Sequence, residues 1–518
     1  MSNNKKGFSR RQFLAGLGAT GLAAAGVGLA SQWGNISLQA APGDPKDPRF
    51  LIVLSAAGGA SIVDSFLAIR ESESQRSSTL NTFPDKQVQT FGEFRAVDMK
   101  MSDIGPIPAG FQSNQSDFVK KYQSDMMVAT VTGSSVTHQV GQRRSITGNE
   151  AWLGRTMQEC VALQYGKDYT LPNVLLATGT AFIENGTDNA LPSHCLGELV
   201  ANPAVWPLSL DGSKGVTNID RNLIQQMRML RNDQLDAKSR FMAAFGDSPA
   251  LKRWRSVRGT PQRALENQDL ISKLMLYPDS DKFPLKAYGL QPTPEVQKQV
   301  QRVREVFPNF ETDPFEAQAA LGFLLLKFRL SVTVTIGPRF DLVTHGDGNL
   351  LDKLRSGGAL PEGSIVNTPI AFDFSHNANR STQALMWHRL LKVADGLITL
   401  LKGEEYGKGQ SFWDRSMLYF ATDFGRSKKR PAGAADFGTG HHLNNGVVII
   451  SPLANGGKVL GGVDPNSALT YGFNPQTGAP EKGKTMTEAH IYAGVLQALG
   501  VDTAGSGLPD MRSMRKKA

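Results

Sequence analysis

Seven short apolar runs punctuate the chain, each bounded by glycine, proline or small polar residues, and they predict the strands of a sheet. They fall at 50–54 (FLIVL), 126–131 (MMVATV), 174–178 (VLLAT), 332–336, 370–372, 417–421 and 447–450. In the fourth run Val332, Val334 and Ile336 alternate with Thr333 and Thr335, which is the period of a strand. Helical spacing of apolar residues appears over 317–328. It appears again where Trp387, Leu390, Leu391, Ala394, Leu397, Ile398 and Leu401 fall on one face, with His388 packed at its edge. A last helix is predicted from a capping box of Thr485 and Glu488 to a stop at Gly500, with His490 packed in its interior. Strands interleaved with helices make an α/β fold. Residues 220–310 differ: they are charged and rich in Gln and Arg at helical spacing, and predict a helical insertion or cap on one side of the sheet.

Residues able to do chemistry collect where these strands end. Asp423 follows the run 417–421, and a basic, glycine-punctuated loop then closes on His441 and His442. That order brings hard and borderline metal ligands to one edge of a sheet. The run 50–54 leads into SAAGGAS, whose glycines permit close backbone approach, while Asp64 has the spacing of a helix cap before Ser65. After 126–131 come Gly133, Ser134 and Ser135, then His138. A hydroxyl at such a tip suits a nucleophile, a bound anion or an ordinary helix cap, and His138 is equally a ligand or a packed residue. Arg143 and Arg144 suit an oxyanion or a solvated face.

Two Asp/His pairs compete, Asp341 with His345 and Asp373 with His376. The run 370–372 is the better strand, so Asp373 is expected at a strand end. Positions three apart on a continuing strand face opposite sides. Asp373 and His376 therefore share a metal only if the chain turns at Phe374 or Ser375, and Asn377 and Asn379 favour such a turn.

Composition narrows the classes. Of the nine net positive charges, Lys5, Lys6, Arg10 and Arg11 supply four, and Arg512, Arg515, Lys516 and Lys517 form a basic tail. The body between is near balance and carries no aromatic-interleaved basic stripe, so nucleic acid is not an expected partner. Two cysteines, Cys160 and Cys195, exclude a self-ligated iron–sulfur cluster or a Cys-rich zinc module; they are either one disulfide or two buried thiols. Residues 1–40 join a basic start to an apolar, glycine-rich run over 13–30, the pattern of an export signal cleaved near Ala40 or Ala41. Within it SRRQFL resembles the twin-arginine signal, which implies export of an already folded protein by that machinery, to the periplasm or beyond.

The mature chain, 41–518, resembles a known family. FLIVLSAAGGASIVDSF, SSVTH, FDFSH, TDFGRS and GTGHHLNNGVVIIS with GGKVLGG occur in the order seen in the twin-arginine-exported DUF1501 proteins of the alkaline phosphatase superfamily. The resemblance implies an alkaline-phosphatase-like three-layer sandwich with a mainly parallel central sheet. It also implies one or two divalent ions, zinc or manganese, at the carboxyl ends of the strands. Carried over, one ion falls to Asp373, His376 and His441, with His442 as rival for the last place; the other falls to Asp64, Asp423 and Ser134. Ser134 becomes the nucleophile toward a small phosphate or sulfate ester, and Arg426 or an asparagine holds the anion.

Three departures from the family pattern bear on this. Phe424 stands where classical members carry a ligating His, the first strand ends in Ala56-Ala57-Gly58 with no carboxylate, and Gly440 stands where relatives usually carry Asp. Two functions are therefore expected from the sequence: an exported metal-dependent hydrolase, or a non-catalytic descendant of the fold that binds or assembles in the envelope.

Overall fold

The computed structural model describes residues 47–99, 115–203, 294–338 and 371–516, with 341–342, 365–366 and scattered positions between 206 and 286. The predicted export signal and His345 lie outside the described residues. Two compact units are present: Pro45–Ala201 with Gln301–Ala518, and a second that contains Asn202–Val300. In the second, the helix Arg240–Phe245 is capped by Ser239, whose hydroxyl accepts from the Met242 amide at 3.1 Å.

The first unit is a mixed α/β structure on an eight-stranded sheet. Its strands are β1 (Phe50–Ser55), β2 (Met126–Thr132), β3 (Asn173–Leu175), β4 (Glu198–Leu199), β5 (Thr333–Ile336) and β6 (Ser416–Ala421). After a small hairpin of β7 (Gly425–Arg426) and β8 (His441–His442) come β9 (Asn444–Ile450) and β10 (Lys458–Leu460). The order across the sheet is β10-β2-β9-β6-β1-β5-β3-β4, with β9 antiparallel to both neighbours and every other pairing parallel. Every residue of β1 and β6 is buried, as parallel strands covered on both faces require. This is why their sequences read as unbroken apolar runs.

Helices cover both faces. They are α1 (His138–Thr147), α2 (Met157–Tyr165), α3 (Pro314–Lys327), α4 (Asn379–Lys402) and α5 (Glu488–Ala498). On β5 the parity of side chains fixes the sides: an added Cβ at Gly322 of α3 would touch Val334 and Ile336, whereas Thr335 takes a 3.1 Å hydrogen bond from Gln158 of α2. The arrangement is compatible with a three-layer sandwich. Among the described residues no helix is long and apolar enough to cross a membrane.

Two sequence expectations are corrected and one open alternative is decided. Phe372 is in no strand: Ala371–His376 form a 3₁₀ helix, and the Phe372 amide donates to the Ala57 carbonyl at 2.9 Å. The cap of α5 is Thr487, with His490 accepting from its amide at 3.2 Å, so His490 sits in the first turn and Glu488 is free for another task. Cys160 and Cys195 are separate buried thiols, and the Cys160 sulfur lies 3.1 Å from the Tyr492 hydroxyl.

Candidate metal centre

The two central strands β1 and β6 end side by side, and each hands over to one half of the site. Beyond β1 the backbone passes through Gly58 and Gly59 at φ +95° and +87°, a conformation that turns consecutive amides toward one point. No larger residue fits there. A Cβ at Gly58 would run into the backbone of Phe372 and Asp373, and one at Gly59 would lie 2.7 Å from Arg426 Nε.

The amides converge on Asp423, just past β6. Its Oδ1 accepts from the Gly59 amide at 2.7 Å and the Phe424 amide at 3.1 Å. Its Oδ2 accepts from the Gly58 amide at 3.0 Å, Gln142 Nε2 at 3.3 Å and His138 Nδ1 at 2.7 Å. The side chain has no exposed surface. With both oxygens filled by protein donors, Asp423 has no lone pair aimed at an ion, and its expected place as a metal ligand is corrected: it orients His138.

His138 opens α1. With its Nδ1 proton given to Asp423, its Nε2 lies 3.0 Å from Asp373 Oδ1. His441, on β8, follows the same logic: its Nδ1 donates to the Val136 carbonyl at 2.7 Å, and its Nε2 lies 3.5 Å from the same Asp373 oxygen. His376 brings its Nε2 to 3.2 Å from that oxygen and 2.8 Å from His441 Nε2. In a 3₁₀ helix residues three apart eclipse, so the turn at Ala371–His376 puts Asp373 and His376 on one side.

His138, Asp373 and His441 form a group able to hold a metal ion, their ligand atoms all within 4.8 Å of one another. Bonds of about 2.0–2.1 Å in a tetrahedron set neighbouring ligand atoms about 3.3 Å apart. The separations from Asp373 Oδ1, 3.0, 3.2 and 3.5 Å, suit that spacing. The donor set of imidazoles and one carboxylate suits a borderline divalent ion.

A proton and an ion compete for the Nε2 of His138. Burial disfavours a charged His138, but hydrogen bonds to Asp373 and Asp423 outweigh it and raise the imidazolium to about 9. Burial likewise works against the Asp373 carboxylate, yet His138 and Arg426 hold it well below the usual carboxylate range. His376 is pushed down, by burial first and then by the Arg426 charge.

Other expected site residues lie elsewhere. Arg426 is fully buried, and its Nη2 donates to the carbonyls of Gly58 and Phe372 (3.1 Å) and to Asp373 (3.0 Å), so its role as an anion clamp is corrected: it anchors Asp373. Asp64 is buried with Oδ1 accepting from Asn81 at 2.6 Å and Asn379 at 2.8 Å. His442 accepts from the Asn444 amide at 3.1 Å, a local turn contact. Ser134 donates its hydroxyl to Glu488 at 2.6 Å, and Arg144 Nη1 lies 3.1 Å from that hydroxyl. Asp64 and His442 are not in the His138–Asp373–His441 group, and Ser134 has no described hydrogen bond to it.

Phe424 has a function the sequence did not suggest. Its ring stacks at 4.1 Å from the His441 ring and 4.8 Å from that of His138, a wall against which both imidazoles rest. His138 is the member of the group able to hold an ion that the sequence left open, and its signal was a place just after a strand. Comparison with protein-family models and with curated proteins finds no match to this chain.

Proposed function

We propose that this chain is an exported metal-dependent hydrolase of small phosphate or sulfate esters, with an alkaline-phosphatase-like sandwich and one divalent ion, zinc or manganese, held by His138, Asp373, His441 and His376. One observation carries the metal reading: His138 and His441 each spend their Nδ1 proton on a protein oxygen and converge with their Nε2 on a single oxygen of Asp373. An ion that displaces the Nε2 proton of His138 finds a lone pair there, because the Nδ1 proton is fixed on Asp423. The ion, when bound, supplies Lewis acidity toward an ester oxygen.

The chain's own residues supply the rest. Asp423 keeps His138 in its ligand tautomer, Arg426 keeps Asp373 ionised, and the Phe424 ring fixes both imidazole planes. Ser134 is the nucleophile in this reading: Glu488, 2.6 Å from its hydroxyl, takes the proton as the oxygen attacks phosphorus or sulfur and returns it to the departing alkoxide, and water then releases phosphate or sulfate from the serine. The loop that carries Ser134 also gives His441 its Val136 carbonyl. Export by the twin-arginine machinery to the periplasm or beyond belongs to the same reading and rests on SRRQFL.

A second reading, a non-catalytic envelope binding protein on the same fold, is favoured by the saturated carboxylate of Asp423 and the full burial of the Arg426 guanidinium. One experiment separates them. Protein folded and exported in its own cell is assayed for metal content and for hydrolysis of p-nitrophenyl phosphate and sulfate. Near-stoichiometric metal with turnover supports the hydrolase, metal without turnover supports the binding protein, and protein free of metal sinks the metal centre itself.

A further inference from the structure

The ligands of this centre come from three separate stretches of chain, and a single buried amide ties two of them together. Gln383, on α4, has no exposed surface. Its Oε1 accepts from the Ser61 amide at 2.9 Å, and its Nε2 donates to the Gly59 carbonyl at 3.0 Å and the Ser375 hydroxyl at 3.1 Å. The orientation of the amide is not open to reversal: a backbone N–H needs an acceptor and a carbonyl needs a donor.

Each partner leads directly to a ligand. Gly59 donates its amide to Asp423, and Asp423 fixes His138. Ser375 sits between Asp373 and His376 in the 3₁₀ turn, and its carbonyl accepts from the Thr439 amide at 2.8 Å, two residues before His441. The Gly58–Gly59 loop and the 3₁₀ turn otherwise meet through backbone contacts and through Arg426, whose donors end on Gly58, Phe372 and Asp373. Gln383 fixes their spacing from the opposite direction, on the Ser61 and Ser375 sides.

We infer that Gln383 is a positioning residue of the metal centre, holding the Asp423–His138 half at its working distance from the Asp373–His376 half. This rests on the metal reading above. Outer groups that orient ligands typically change metal affinity by about 10- to 100-fold when removed. A shared amide predicts more than a loss: its two arms act as one unit, so deleting both costs little more than deleting one.

The test compares wild type with Gln383→Met, which keeps the volume and removes the polar atoms, Ser375→Ala, which cuts one arm, and the double variant. Gln158→Met is the control, since Gln158 is equally buried and donates to the Phe182 carbonyl and to Thr335 on β5, with no described hydrogen bond to a residue of the metal group. Cobalt(II) serves as the probe. Expected are a loss of cobalt affinity of about tenfold or more and an altered visible spectrum in Gln383→Met and Ser375→Ala, no further loss in the double variant, and wild-type binding in the control. The downfield Nδ1–H resonance of His138 is followed in metal-free protein as a second readout, expected to move in Gln383→Met and to stay in Gln158→Met. Wild-type cobalt affinity and an unmoved resonance in Gln383→Met overturn the inference. If wild type takes up no cobalt, the metal reading fails while the resonance still decides the role of Gln383.

Discussion

His138 Nδ1 lies 2.7 Å from Oδ2 of Asp423, a carboxylate with no exposed surface, and this contact fixes the imidazole within the group able to hold an ion. In Asp423→Asn the negative charge is lost, and either orientation of the amide sets an NH2 against a backbone N–H of the Gly58–Phe424 cradle. Metal affinity is expected to fall by about 10- to 100-fold, with a lower melting temperature for the metal-free protein. Calorimetric titration with zinc checks this. Unchanged affinity would place Asp423 outside the support of the centre.

Asp373 and Ser134 are expected to separate binding from chemistry. Asp373→Ala removes the oxygen on which three imidazoles converge, so both metal content and ester hydrolysis disappear. Ser134→Ala leaves metal content at the wild-type level and abolishes hydrolysis, since Ser134 bonds to Glu488 and Arg144 and to no residue of the metal group among its described hydrogen bonds. Elemental analysis with a parallel assay reads both. Retained turnover in Ser134→Ala would transfer the role of nucleophile to another group.

Placing a histidine at position 424 does not restore a second metal site. The neighbouring Asp423 has spent both oxygens on protein donors, and the space at 424 is the wall on which His441 and His138 rest. Phe424→His is therefore expected to bind no more ions per chain than wild type and to lose about 1–3 kcal/mol of stability, since Phe424 is 2% exposed. Metal stoichiometry and denaturant unfolding measure the two. A second equivalent of zinc would show that the cradle is open to an ion.

Beneath the site Lys428 is buried, donating to the Ser61 hydroxyl at 3.0 Å. Burial pushes its ammonium down from 10.5 to about 8; the Asp64 charge opposes this and the Arg426 charge adds to it. Between those two pH values the unfolded chain keeps a proton that the folded chain has released. The unfolding free energy from this residue therefore rises with pH across that window, and below about 8 its burial is a constant cost. Lys428→Met should flatten that rise. Denaturant midpoints of both proteins from pH 7 to 10.5 test the slope; identical slopes would mean that Lys428 titrates as an exposed lysine does.

Much of the sheet was legible. FLIVL, MMVATV and 417–421 read as strands because parallel strands covered on both faces need unbroken apolar runs, and these are the interior of β1, β2 and β6. The run 370–372 misled because three apolar residues look alike in a strand and in a 3₁₀ turn. Thr485 and Glu488 match the spacing of a cap, but Thr487 holds that place, and Glu488 is claimed instead by Ser134, 354 residues away in the chain.

By itself, the sequence determined an α/β chain whose Asp, His and Ser residues gather at strand ends, since apolar periodicity and turn residues are local properties. It also picked out Asp373 and His441, two of the three residues of the group able to hold an ion. Tertiary structure alone decided what each group is free to do. Asp423 is a support because its lone pairs are taken by donors 365 and 285 residues distant, and Arg426 an anchor because carbonyls from two other loops absorb its protons. A residue type states how many hydrogen bonds a side chain can make, and only the folded chain states which of them remain for an ion.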